Sequence, residues 1–275
     1  MISRRNMDLA MTFLLKVIML VSALFLMLPV IVTILTSFDS RNYIGQFPPT
    51  SLSGQWYVRF WKNDYLWSGL VTSLQLAIAT TVLATVMGAL AALAINRMPP
   101  RRRDLVSTAF MSPLLLPGVV LGFGLLMFLS TFVWLPPFPQ LLAGHLIISL
   151  PFTIRMTLTG LAGISETLRE AALNLGANER QTFFTITLPL AKNGIAAGAI
   201  FAFALSMDEL TISIFLSNFK TYTLPVALLT MMRSQFDLTL AAAAVVLMGL
   251  IIIVLFALDR VIGLERVIGQ GTYRA

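Results

Sequence analysis

Six stretches of this chain, 13–35, 69–94, 105–129, 141–161, 194–216 and 238–258, are long and apolar enough to cross a lipid bilayer. A helix rises about 1.5 Å per residue, so a hydrocarbon core of about 30 Å is crossed by roughly 20 apolar residues. Inside that core no water is available to pair with backbone N–H and C=O groups, and helices satisfy both within the segment. The expected fold is therefore all-α, a polytopic membrane protein with six transmembrane helices. Composition agrees: 57% of the 275 residues are hydrophobic and 11% charged, against about 25% charged in soluble domains. Too few polar side chains remain to cover a water-facing globule, which excludes a soluble enzyme, a nucleic-acid-binding domain and a disordered chain. Arg4 and Arg5 precede the first run as they would in a secretory signal. Its apolar core is longer than a signal's and no small-residue cleavage site follows Pro29, so it is read as a retained span.

The net charge of +7 is a statement about topology. Arg and Lys concentrate in cytoplasmic connections. One alternating set of connections holds Arg4 and Arg5, then Arg97 with Arg101, Arg102 and Arg103, then Arg169, Arg180 and Lys192, then Arg260, Arg266 and Arg274. The other set holds Arg41, Arg59, Lys62, Lys220 and Arg233, and the connection 131–140 holds none. Both termini are therefore expected in the cytoplasm, and no nucleic-acid partner is inferred. With no cysteine and a single histidine, His145, the sequence offers neither thiolate chemistry nor a two-histidine metal site. No metal, cofactor or catalytic residue is expected. His145 itself is read as interfacial or helix-bonded, and Arg155 as snorkelling toward the cytoplasm.

The outer connection 39–67 carries Trp56, Tyr57, Phe60, Trp61, Tyr65 and Trp67. Such rings favour the membrane interface, so this segment is read as interfacial, with docking of an external partner as the second reading. Pro29, Pro113, Pro117 and Pro151 lie inside spans, where neighbours can satisfy freed carbonyls. Gly118 with Gly122, and Gly194 with Gly198, have the spacing that lets helices approach closely.

The connection 164–192 is long for a linker. Ile164, Leu168, Ala171, Ala172 and Leu175 share one helical face, while Glu166, Arg169, Glu170 and Asn174 fall mainly on the other. Gly176 stands where helices often end in a left-handed residue. Asn178 precedes Gln181 by three, the spacing of a capping box. A second apolar-faced segment, Phe183, Phe184, Ile186 and Leu188, leads to Pro189. The pattern is helix, glycine turn, helix, and it fits an amphipathic pair on the bilayer surface as well as a docking element.

Glu170-Ala171-Ala172, Gly176 and Ile186-Thr187-Leu188-Pro189 together resemble the EAA loop of ATP-binding-cassette importer permeases. The resemblance extends over about 67–259, and Thr72-Ser73-Leu74 is similar to the family's Asn-Ser-Leu pattern, with Thr72 in place of Asn. It implies the type I importer permease fold (MetI-like) over 67–262, after an N-terminal span and periplasmic loop (1–66) and before a cytoplasmic tail (263–275). It also implies that Glu170, Ala171, Ala172, Gly176, Ile186, Leu188 and Pro189 form a coupling loop against an ATPase dimer. A second permease, as a heterodimer, and a periplasmic solute-binding protein would complete the assembly in the bacterial inner membrane. The chain has no Gly-rich phosphate loop ending in Gly-Lys-Ser/Thr, so ATP hydrolysis would belong to the partner and this chain is read as no enzyme.

Asp208 and Glu209 fall within the fifth apolar run. A carboxylate in hydrocarbon costs a few kcal/mol, which makes a functional role the default. In a continuous helix Asp208 would lie about 21 Å from Gly194, in the outer half, with the two acids pointing about 100° apart. They are read as substrate-pathway residues, with pairing at the external interface as the alternative. Ser206-Met207-Asp208-Glu209, followed by Thr223-Leu224-Pro225, resembles the second permease subunit of spermidine/putrescine-type importers, with Met207 in place of an aromatic. That resemblance implies a small cationic solute such as a polyamine; amino-acid derivatives, opines or other small organic solutes are the alternatives. A self-contained proton-coupled transporter using the same acids is a remoter alternative, and no internal repeat supports it.

Overall fold

The computed structural model describes residues 4–43, 45–234 and 236–262. The expected tail 263–275, with Arg266 and Arg274, lies outside the described residues, as do the side chains of Arg4, Arg5 and Glu166. The described chain is helical, with one isolated antiparallel bridge between Asp39 and Leu52. In order the helices are α1 (Arg4–Ser37), α2 (Gln55–Lys62), α3 (Asp64–Asn96), α4 (Pro100–Met111), α5 (Gly118–Leu129), α6 (Pro137–Ala162), α7 (Glu166–Asn174), α8 (Glu179–Thr182), α9 (Leu188–Asp208), α10 (Thr211–Leu216), α11 (Leu224–Ser234) and α12 (Thr239–Ile262). Among the described residues five spans are long and apolar enough to cross a membrane, and six if one sharply bent pair is counted as a single span.

The chain divides into two compact units. In the first, which joins the N-terminal residues through Asn63 to Met231–Met248, α1 is almost wholly exposed along its apolar length. The aromatic connection is its core. Trp56 and Phe60 are fully buried, and Trp56 packs against Leu238 and Ala242. The Trp56 indole N–H donates to the Asp39 carbonyl at 2.6 Å, and the Arg41 guanidinium closes on the Asp39 carboxylate. Trp56 is thus a structural anchor, which corrects the interfacial reading at this position.

The second unit, Asp64–Thr230 with the chain from Gly249, is organised by α3, α6 and α9, which pack on one another. Gly69, Ser73, Ala77, Thr80, Ala84, Gly88 and Ala92 recur every three or four residues along α3 and are buried. On its opposite side Ile78, Val82, Val86 and Leu90 are exposed, as a bilayer-facing surface requires. Lipid tails are as apolar as leucine, so these helices gain by close approach of small residues rather than by escape from water. The expected glycine spacing on α9 serves this: a Cβ on Gly194 would stand 2.6 Å from the Met156 carbonyl oxygen and 2.8 Å from Gly160 Cα.

Two expected spans are not straight. The run 105–129 is α4, a 3₁₀ turn (Ser112–Leu115) and α5, bent by 96°. Leu116 is extended because the ring of Pro117 disfavours the helical region in the preceding residue. The run 194–216 breaks after Asp208, where Glu209 turns extended (ψ 109°) before α10 resumes. A further helix, α11, is absent from the hydropathy reading. It begins at Leu224, whose N–H donates to the Ser73 hydroxyl at 2.8 Å, giving the serine of Thr72-Ser73-Leu74 a structural partner.

Gly194→Val should lower the thermal unfolding midpoint in detergent by the equivalent of about 1–3 kcal/mol through overpacking. Gly163→Ala, where an added Cβ meets nothing within 4 Å, should leave it unchanged in the same assay.

Candidate functional site

The connection 164–192 is ordered by its own hydrogen bonds. Helix α7 closes in a Schellman motif: the Gly176 N–H donates to Leu173 O and the Ala177 N–H to Ala172 O, both at 3.0 Å, with Gly176 at φ +90°. Only glycine adopts that φ without steric cost. Asn178 then caps α8 reciprocally. Its side-chain oxygen accepts from the Gln181 N–H at 2.8 Å, and the Gln181 side chain accepts from the Asn178 N–H at 2.9 Å. Arg169 pairs with Glu179, tying α7 to α8 across the turn. The helix, glycine turn and capping box expected from the sequence are all present.

Glu170, Ala171 and Gly176 are exposed on this knob and Ala172 is half-buried. Leu175 at its tip is 88% exposed and Leu168 47%, while Ile164 packs on the buried cluster of Ala92, Ile95, Ile154, Leu161 and Ala191, so the expected apolar face is packed within the chain only at its start. Ile186, Leu188 and Pro189 lie elsewhere, at the base of the following helix. The segment Glu179–Asp208 runs as one span through a π-helical turn at Phe183–Thr187. That turn absorbs the missing N–H of Pro189, at the start of α9. Ile186 lines a cavity of about 500 Å³ with Arg97, Arg103 and Arg169. The second apolar segment is thus the beginning of the span and not a separate surface helix.

The other end of α9 carries the acids. Asp208 is its last residue and is exposed, while Glu209 is half-buried with its Oε1 accepting the Ile212 N–H at 2.7 Å. Glu209 therefore caps α10, and the 100° separation expected for a continuous helix does not apply. Helix α10 is seated by close contact: a Cβ on Gly144 would meet Ile212 and Leu216 at 2.7 and 2.8 Å, and one on Gly122 would meet Phe215 at 2.7 Å.

Of the two readings of His145, the interfacial one is corrected and the helix-bonded one holds. The side chain is fully buried, with Nδ1 2.8 Å from Ser206 Oγ and Nε2 2.9 Å from Ser213 Oγ. The two serines flank the break, one on α9 and one on α10. Hydropathy could not reveal this; the available signal was two serines seven apart, on one helical face, bracketing two acids. Arg155 is exposed. The loop and the acids are separated by the length of α9, about 30 Å at 1.5 Å per residue, so they form two sites joined by one helix.

A profile of the family described as binding-protein-dependent transport system inner membrane component matches residues 84–264. The chain is 29% identical over 247 residues to a spermidine/putrescine transport system permease protein of Shigella flexneri, covering 90% of this chain and 92% of that one. It is 28% identical over 248 residues to a putrescine transport system permease protein of Escherichia coli K12, covering 87% of each. Among solved structures, a bacterial ABC transporter involved in import of the acidic polysaccharide alginate superimposes with TM-score 0.74 at 17% identity, over 94% of this chain and 98% of that one. This likeness concerns the fold.

Asn178→Ala should speed amide hydrogen exchange across 170–182 by an amount equivalent to about 1 kcal/mol, the usual worth of an N-cap. Exchange in the middle of α9 should stay unchanged.

Proposed function

Because this chain belongs to the family of binding-protein-dependent transport system inner membrane components and is a multi-pass permease subunit of that kind, we propose that it forms half of a pathway for a small cationic organic solute, a polyamine such as spermidine or putrescine. The observation that carries the solute class is Asp208, an exposed carboxylate at the point where a spanning helix is interrupted. A fixed carboxylate in a poorly hydrated channel attracts an ammonium group far more strongly than it would in bulk water. Glu209 adds a second acid one residue on, already bonded to the Ile212 N–H. The relatives whose names specify spermidine and putrescine support the same choice. A molybdate/tungstate permease relative from Pyrococcus abyssi, 31% identical over 163 residues covering 59% of this chain, marks the competing possibility of an oxyanion. Two carboxylates at the break disfavour it.

The second part of the reading is energetic coupling. The exposed knob formed by Glu170, Ala171, Ala172 and Gly176 would dock on a cytoplasmic ATP-binding-cassette ATPase dimer, with Leu168 and Leu175 filling the partner's cleft. Ile186, Leu188 and Pro189 would pass the movement into α9, whose rigidity carries it to Asp208. The permease domain at 67–262 would pair with a second permease subunit. Solute would arrive from a periplasmic binding protein, with both termini of this chain in the cytoplasm and ATP hydrolysis on the partner.

In proteoliposomes containing the full complex and binding protein, Asp208→Asn and Glu209→Gln should each cut spermidine and putrescine uptake at least tenfold. Normal uptake by both variants would make the acids structural. Glu170→Lys and Gly176→Asp should abolish ATP-driven uptake while membrane insertion persists, and wild-type rates in both would remove the coupling assignment.

A further inference from the structure

His145 has a geometry that the coupling loop does not explain. In an unbroken helix Ser206 and Ser213 would lie two turns apart, about 10.5 Å along the axis. One imidazole reaches both hydroxyls, at 2.8 and 2.9 Å, because the chain between them leaves the helix at Glu209. The three residues are 0%, 2% and 0% exposed. A buried imidazole is stable only when both ring nitrogens find partners. Neutral histidine offers one donor and one acceptor, and a serine hydroxyl can serve as either, so two serines satisfy the ring with no ion involved. Helix α10, six residues long, cannot hold itself together and depends on such ties.

We propose that His145 is a positioning residue for transport: by bridging Ser206 and Ser213 it holds the interruption between α9 and α10 open, and so fixes where Asp208 and Glu209 stand in the pathway. The consequence for transport rests on the pathway reading of the two acids; the bridge itself does not. Without the imidazole, the segment 208–211 is free to wind toward continuous helix. Winding would withdraw the Glu209 carboxylate from the Ile212 N–H and turn the Asp208 side chain away from its present direction. Glutamine carries a donor and an acceptor on neighbouring atoms and should hold the bridge, whereas leucine, similar in bulk, cannot.

The chain contains no cysteine, so Leu210→Cys provides a single reporter thiol at the break. In the assembled complex, His145→Leu should change the labelling rate of that thiol by a membrane-impermeant maleimide at least fivefold. It should raise the KM for spermidine about tenfold with a much smaller effect on kcat. His145→Gln should restore both values to within threefold. The Ser206→Ala/Ser213→Ala pair should reproduce His145→Leu, and adding His145→Leu to that pair should change nothing further. If His145→Leu prevents assembly, the serine pair and His145→Gln carry the same comparison. Unchanged labelling and KM in His145→Leu, or a glutamine variant as impaired as the leucine one, would overturn the proposal. Normal uptake by Asp208→Asn and Glu209→Gln, alongside altered labelling in His145→Leu, would sink the pathway reading and leave the bridge standing.

Discussion

A peptide chain that leaves the helix within hydrocarbon strands its own N–H and C=O groups, and every irregular point must supply replacements. This chain leaves the helix twice within its apolar runs, and each departure is provided for locally. At the first, the Leu116 N–H returns to Pro113 O at 3.3 Å, and Pro117 has no N–H to satisfy. At the second, the Glu209 carboxylate takes the Ile212 N–H and the Ile214 N–H reaches Leu210 O at 2.9 Å. The two breaks use opposite chemistry, removal of a donor in one case and addition of an acceptor in the other. Only the second leaves charge behind.

That difference separates a structural bend from a functional one. Glu209 accepts a backbone bond on one oxygen, and an ionised carboxylate has acceptor capacity to spare. Asp208 takes part in no such cap and is exposed. The rest of the second unit keeps the break in a fixed frame. Small residues on α3, α6 and α9 bring backbones into contact, and the glycines at 122 and 144 let α10 sit directly on α5 and α6. A methyl group at any of several of these positions would displace a helix.

Much of the architecture was legible in the amino-acid pattern because hydropathy integrates over some 20 residues, as a bilayer does. The turn at Gly176 and the Asn178–Gln181 cap were legible for a different reason: both are set by residues within four positions of one another. The breaks, α11 and the His145 bridge were not, because each depends on partners distant in sequence. Ser73 meets Leu224 151 positions away, and His145 meets Ser206 and Ser213 at separations of 61 and 68. Trp56 was misread for the same reason, since its burial against Leu238 and Ala242 is tertiary. Two acids next to each other in an apolar run flagged the region, but a hydropathy window treats 194–216 as uniform and hides the place where the helix stops.

Helix α9 is consequently the one element that both candidate sites share. At its start a π-helical turn stores one extra residue per turn next to Pro189, and at its end the helix stops on Asp208. A π-turn is an adjustable point in a helix, whereas the middle of α9 is locked by Gly194 and Gly198 against α6. A displacement entering at the loop would therefore be taken up at the π-turn or passed on as movement of α6 and α9 together. Because His145 belongs to α6 and Ser206 to α9, joint movement preserves that hydrogen bond. The contact with Ser213 on α10 is the one that must adapt. Whatever movement passes the π-turn would thus be felt at the α9–α10 interruption, beside the two acids.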